Sequence, residues 1–173
     1  MAEVLLVQVI GAIGYISIAL SYFKKEKREI LFIQIIAYIF FTIHYYLLNG
    51  ITGAICNFIG LLALITIYLF EKYEWKNKVI LSTVFIIILL IINIKAFQNI
   101  FSIFPMIAST IVIFSFLKDN ENIIRIIGVV SALCWLVYAI AYKSYIAIIF
   151  EVLTLMNVCV ALFKNYKNIN KGS

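Results

Sequence analysis

The sequence predicts an all-α polytopic membrane protein, a bundle of seven transmembrane helices with little chain outside the bilayer. Hydrophobic residues fill 65% of the 173 positions and charged residues only 13%. Soluble domains carry about 25% charged residues, so too few polar side chains remain here to cover a surface that faces water. The apolar runs are also unbroken, as in residues 84–92, whereas barrel strands alternate apolar and polar residues. Lipid must therefore surround most of the chain.

Each predicted helix is an apolar run close to the roughly 20 residues that a membrane span needs. The seven runs cover residues 4–23, 30–48, 51–70, 79–94, 100–117, 123–142 and 145–163. Most of the 14 basic residues fall on one side of these spans: Lys24, Lys25, Lys27, Arg28, Lys72, Lys76, Lys78, Lys118, Arg125, Lys164, Lys167 and Lys171. The opposite loops hold only Lys95 and Lys143. The positive-inside rule then predicts an N-terminus outside and a C-terminus in the cytoplasm.

The sequence gives little support for nucleic-acid binding, for a metal or cofactor site, or for enzymatic activity. The basic clusters lie in short loops, which is typical of an anionic membrane face and argues against nucleic acid as a partner. Cys56, Cys134 and Cys159 lie inside apolar runs without a CxxC pair, and His44 is the single histidine. We therefore expect neither a metal site nor a cofactor. No nucleophile–base pairing is visible and Asp119 is the only aspartate, so an enzyme is not expected.

The chain also matches itself weakly at an offset of 94 positions. Residues of related character then coincide in four pairs: Gly11 with Pro105, Phe41 with Trp135, His44 with Tyr138, and Asn57 with Glu151. This predicts one transmembrane domain, residues 1–173, built from two three-helix units at 1–70 and 100–163. The helix at 79–94 joins them, and an odd joining helix gives both units the same orientation in the membrane.

Glu151 is the acidic residue placed well inside a predicted span. A charged carboxylate at the bilayer centre costs about 2.5–3.5 kcal/mol or more, so this group must be neutral, paired or facing a polar cavity. The second and sixth helices each carry a stripe at steps of three and four residues, on one helix face. These features predict a substrate-binding set of Asn57, Glu151, Trp135, Phe41, His44, Tyr138, Gln34 and Ser131. Gly11 and Pro105 are the predicted hinges, since both residue types loosen a helix.

Purely structural interpretations of these residues stay open. Small and hydroxyl residues commonly let membrane helices approach and form hydrogen bonds. A lone histidine is commonly a packed residue, and Glu151 can be a neutral, hydrogen-bonded structural acid.

Short motifs resemble those of the bacterial inner-membrane YgjV-like family, within the wider architecture of SWEET and PQ-loop transporters. The aromatic-to-polar spacing is sixteen positions in both halves, from Phe41 to Asn57 and from Trp135 to Glu151. The first half also carries the segments Gly14-Tyr15-Ile16-Ser17, Gln34, His44-Tyr45, Gly50, Gly53-Ala54 and Asn57-Phe58-Ile59-Gly60. The resemblance implies a 3+1+3 fold in which the aromatic and amide residues hold a small solute near the midplane. Glu151 stands where that pattern has Asn, and Pro105 is the sole proline, so a four-proline hinge is absent.

These observations predict a small-solute transporter or facilitator of the bacterial inner membrane, working by alternating access. Its substrate would be a sugar-like or a vitamin- or nucleoside-like small polar molecule, with membrane lipid as the other partner. One chain holds both units, so a monomer suffices, and a homo-oligomer is compatible with the same sequence. The alternative is a non-transporting membrane assembly partner or receptor with the same fold, because fold alone does not determine function.

Overall fold

The computed structural model describes residues 2–21, 23–24, 26–73, 78–115 and 121–169. Within these ranges the chain forms seven α-helices and one short 3-10 turn, which confirms the all-helical prediction. The helices are α1 (Ala2–Ser21), α2 (Lys27–Leu47), α3 (Ile51–Tyr73), α4 (Lys78–Lys95), α5 (Ile103–Ser115), α6 (Glu121–Ala141) and α7 (Tyr145–Ile169), and the 3-10 turn Ile100–Ser102 precedes α5. Some positions used above lie outside the described residues: 22, 116–117, Lys25, Lys76, Lys118, Asp119 and Lys171.

Three helices are long and apolar enough to cross a membrane, over Glu3–Ser21, Arg28–Leu47 and Ile51–Phe70. The described parts of α4 to α7 hold shorter apolar stretches, over Thr83–Lys95, Ile100–Phe114, Ile126–Ala141 and Tyr145–Met156. Many large apolar side chains point outwards, including Leu5, Ile94 and Ile140, which are each more than half exposed. Contiguous apolar surface of this extent is unfavourable in water, so the outer face of the bundle suits lipid.

Helices that follow one another in the chain pack together on either side of α4. α1 packs against α2 and α2 packs against α3. In the same way, α5 packs against α6 and α6 packs against α7. Two more contacts link these groups, between α1 and α7 and between α3 and α5. The helix α4 packs against α3 and α5.

The turns that follow α2 and α6 have the same backbone structure. Asn49 and Lys143 have φ angles of 58° and 54°, and among the described residues they are the two non-glycine positions with positive φ. Each next residue donates its N–H to a carbonyl five positions back, Gly50 to Tyr45 at 2.8 Å and Ser144 to Ala139 at 2.9 Å. This is the hydrogen bond of a Schellman helix end. The paired positions are 94 apart, in agreement with the offset in the sequence.

These two turns lie at one end of the bundle, together with the segment between α4 and the 3-10 turn. We call this the short-turn end and define it by residues 48–50, 96–99 and 142–144. Gln98 ties its parts together, because its side-chain amide donates to the Asn49 carbonyl at 3.0 Å and its carbonyl oxygen accepts from the Tyr142 hydroxyl at 3.1 Å. The Asn99 side chain also donates to the Tyr142 hydroxyl, at 3.2 Å.

Candidate binding cavity

A cavity of about 470 Å³ lies inside the bundle, among α1, α2, α3, α5, α6 and α7. Five of the predicted site residues line it together: Phe41, Asn57, Ser131, Trp135 and Glu151. Its volume falls in the range of small-molecule sites, about 300–1,000 Å³. The cavity therefore joins residues that lie far apart in the chain, and it contains both members of two of the four repeat pairs.

Six of the side chains that line it are aromatic: Tyr15, Tyr38, Phe41, Tyr45, Trp135 and Phe150. The Tyr15 ring lies between two others, with its centroid 4.6 Å from that of Phe41 and 4.7 Å from that of Phe150. Gly14 permits the approach of Phe41 to α1, since a Cβ at Gly14 would lie only 2.6 Å from the Phe41 Cε1 atom. The aromatic wall is thus packed and pre-formed.

Glu151 is the acidic residue of the cavity wall. The Tyr15 hydroxyl donates a hydrogen bond to its Oε1 atom at 3.2 Å. Among the described residues the recorded ion pair is the exposed Lys24–Glu29 contact, with 3.5 Å between Nζ and Oε2. Glu151 therefore faces the cavity, accepts a hydrogen bond from Tyr15 and forms no ion pair with the described residues.

Two other polar groups of the wall, Asn57 and Thr154, each direct a donor into the protein. The Asn57 side-chain nitrogen donates to the Gly53 carbonyl at 2.9 Å, which orients the amide because a carbonyl only accepts. The Thr154 hydroxyl donates to the Phe150 carbonyl, also at 2.9 Å. Each of these two groups keeps an acceptor oxygen for a ligand, and the Asn57 amide also keeps its second N–H.

His44 and Tyr138 share the stripes of Phe41 and Trp135, but they lie outside the cavity, closer to the short-turn end. His44 is fully buried, with Nδ1 2.8 Å from the Val7 carbonyl and Nε2 2.6 Å from the Ser144 hydroxyl oxygen. Because the carbonyl only accepts, Nδ1 carries a proton, and in the neutral ring Nε2 accepts from Ser144.

Tyr138 is also fully buried. Its hydroxyl oxygen accepts the N–H of Gly53, in the first turn of α3, at 2.9 Å. That N–H has no acceptor within its own helix, so the Tyr138 side chain on α6 supplies the acceptor for the first turn of α3.

The contacts of His44 and Tyr138 correspond to each other under the 94-residue offset. His44 on α2 contacts Ser144 at the start of α7, and Tyr138 on α6 contacts the start of α3 around Gly50. A Cβ at Gly50 would lie 2.9 Å from the Tyr138 hydroxyl oxygen. Gly50 and Ser144 are themselves 94 positions apart.

A second pair of contacts shows the same correspondence. Gln8 on α1 accepts the N–H of Ile146 on α7 at 3.1 Å. At the equivalent positions, Thr52 on α3 donates its hydroxyl to the Ser102 hydroxyl at 2.9 Å. The α1–α7 and α3–α5 sides of the bundle are therefore built alike at the short-turn end.

The remaining predicted residues occupy other positions. Gln34 is half-buried on α2 and is not among the described residues that line the cavity. Gly11 lies within the continuous helix α1, and a Cβ there would lie 2.8 Å from the His44 ring and from Ile146. Pro105 is the third residue of α5, in the first turn, where a proline costs no helical hydrogen bond. Hinge roles for Gly11 and Pro105 remain predictions.

The substrate-binding prediction omitted several cavity residues, notably Tyr15, Tyr45 and Phe150. Tyr45 follows Phe41 by four positions, so helical spacing placed it on the same face of α2. Its hydroxyl is buried and makes no hydrogen bond with the described residues. Phe150 directly precedes Glu151, and nothing in the local pattern distinguishes it from other apolar residues of α7.

An all-helical chain with an apolar exterior and three helices long enough to cross a membrane has the features of a polytopic membrane protein. A family of bacterial inner membrane proteins, Imp-YgjV, matches residues 5–169, and the chain belongs to this family. The match confirms both the predicted family and the predicted location in the bacterial inner membrane. No curated protein and no solved structure matches the chain.

Proposed function

We propose that this protein is a small-solute transporter or facilitator that works by alternating access between two three-helix units, α1–α3 and α5–α7. One observation carries the proposal: a single internal cavity contains both members of two repeat pairs, Phe41 with Trp135 and Asn57 with Glu151. Carriers built from parallel repeats bind their substrate where the repeats meet.

The helix contacts support two units with α4 as the joint, the 3+1+3 order of SWEET-like and PQ-loop carriers. Packing is sequential within α1–α3 and within α5–α7, while α1 meets α7 and α3 meets α5. The equivalent contacts at the short-turn end give this interface an approximate two-fold relation. With the N-terminus outside, as the charge distribution predicts, the short-turn end faces the outside.

The described conformation supports a state closed at the short-turn end. Hydrogen bonds from Gln8, His44 and Tyr138 bridge the two units there. On α1, the residues that line the cavity run from Tyr15 to Ala19, away from that end. Transport would require these bridges to separate while the opposite end closes.

The lining supports a small polar solute with a flat face as the substrate. Six aromatic rings suit stacking on a ring, which favours a vitamin- or nucleoside-like molecule over a sugar. Trp135 and Phe41 would contact the ring, and Asn57 and Glu151 would bind its polar groups.

Uptake into proteoliposomes tests the proposal. The full chain would be reconstituted and offered labelled sugars, nucleosides, amino acids and vitamins, in parallel with Glu151→Gln and Asn57→Ala. Glu29→Gln is the matched control, because Glu29 is exposed and lies outside the cavity. We expect uptake above that of empty liposomes, reduced at least tenfold by both cavity changes and unaltered by the control.

Uptake that neither cavity change alters would refute the proposed site. The absence of uptake across the whole panel would favour an assembly partner or receptor.

A further inference from the structure

Three polar side chains of the cavity wall direct donors onto the protein and leave acceptor oxygens for a ligand. Tyr15, Asn57 and Thr154 each direct a donor onto an acceptor of the protein, namely Glu151, the Gly53 carbonyl and the Phe150 carbonyl. The Glu151 carboxyl, the Asn57 carbonyl oxygen and the lone pairs of Thr154 remain as acceptors for a ligand, beside the second N–H of Asn57. These acceptors pair with a ligand that brings donors of its own.

The described ionisable side chains of the cavity wall include an acid but no base. Glu151 is acidic, and no lysine, arginine or histidine stands among the described residues that line the cavity. A carboxylate removed from water needs an opposite charge or several hydrogen bonds. Glu151 receives one hydrogen bond, from Tyr15, so a charged Glu151 leaves most of that requirement to the ligand.

The aromatic rings next to Glu151 add to this preference. Phe41, Tyr45 and Trp135 line the same cavity as Glu151. The faces of aromatic rings carry negative potential and attract ammonium groups, especially in sites shielded from water. Carboxylate and rings thus favour the same kind of ligand.

We propose that the cavity binds an organic monocation: a protonated or quaternary amine attached to an apolar, preferably aromatic, body. The ammonium group would face Glu151 and the Asn57 carbonyl oxygen, and the body would lie against Trp135 and Phe41. This inference rests on the proposed function for the identity of the site, and it names the class of substrate.

A binding titration with the purified full chain separates this inference from transport itself. Trp135 lines the cavity, and the other tryptophan of the sequence is Trp75, so Trp75→Phe leaves a single reporter at the site. Three probes of similar size would be titrated at neutral pH: the phenethylammonium cation, neutral 2-phenylethanol and the 3-phenylpropionate anion. Empty detergent micelles correct for partitioning of the probes.

We expect the cation to bind at least tenfold more tightly than the alcohol, and the anion to bind more weakly than both. Glu151→Gln should remove the preference for the cation while it preserves the affinity for the alcohol. Retained affinity for the alcohol also shows that the variant is folded. Glu29→Gln should leave all three affinities unaltered.

Equal affinity for the cation and the alcohol would overturn the inference, as would a cation preference that survives Glu151→Gln. Selective binding of the cation without uptake in proteoliposomes would support the ligand class and refute transport. Uptake of a neutral solute without selective binding of the cation would refute the ligand class and leave transport intact.

Discussion

Removal of the Tyr138 hydroxyl should destabilise the interface between α6 and the start of α3. In Tyr138→Phe the aromatic ring stays, but the Gly53 N–H loses the acceptor that now lies 2.9 Å away. Both groups are buried, and that N–H cannot find an acceptor within its own helix because it lies in the first turn. A buried donor without a partner costs about 1–3 kcal/mol, and hydrogen bonds between membrane helices are commonly worth about 0.6–2 kcal/mol.

We therefore expect Tyr138→Phe to lower the free energy of unfolding by about 1–2 kcal/mol. The assay is a titration with denaturing detergent, followed by circular dichroism on the purified chain. Tyr46→Phe is the matched control, because Tyr46 is 64% exposed and its hydroxyl makes no hydrogen bond with the described residues; its free energy should change by less than about 0.5 kcal/mol. Equal stability of the two variants would refute the reasoning.

Two further substitutions test the packing of the bundle in the same assay. Ser144→Ala should lower the free energy of unfolding by about 1–2 kcal/mol, because the buried Nε2 of His44 loses its donor; a variant as stable as the native chain would show that this contact contributes nothing. Gly14→Ala places a methyl group 2.6 Å from the Phe41 ring, whereas Gly128→Ala has no neighbouring atom within 4 Å. Both substitutions raise helix propensity by a similar amount, so the difference between their free energies of unfolding reports overpacking. Gly14→Ala should be less stable than Gly128→Ala by about 1–3 kcal/mol. Equal stabilities would contradict the close packing of α1 on α2.

The seven helices could be predicted because apolar runs of sufficient length leave few alternatives. Their ends were less predictable, since they depend on local capping. The fifth predicted span began at residue 100, but the chain first forms the 3-10 turn, where the Asn99 side chain accepts the Phe101 N–H at 3.0 Å. The seventh span was predicted to end at 163, and the helix continues beyond it to Ile169, since a helix can extend past its apolar span.

Helical spacing predicted which helix face each site residue lies on, but not how far along the helix the cavity extends. His44 and Tyr138 lie on the same stripes as Phe41 and Trp135, about one turn closer to the short-turn end, where they bridge helices instead of lining the cavity. The Tyr15–Glu151 hydrogen bond joins residues 136 positions apart. Such a contact depends on how α1 meets α7, which no local pattern in a single sequence reveals.

Accessibility of the cavity from the two sides of the membrane tests the central claim most directly, without knowledge of the substrate. Ser131 lines the cavity, and Ser131→Cys would be introduced after Cys56, Cys134 and Cys159 are replaced by alanine. A membrane-impermeant thiol reagent is then applied to right-side-out and to inverted vesicles, with Tyr46→Cys as a one-sided control. Alternating access predicts that Ser131→Cys reacts from both sides and Tyr46→Cys from one. Reaction of Ser131→Cys from a single side, or from neither, would contradict the account.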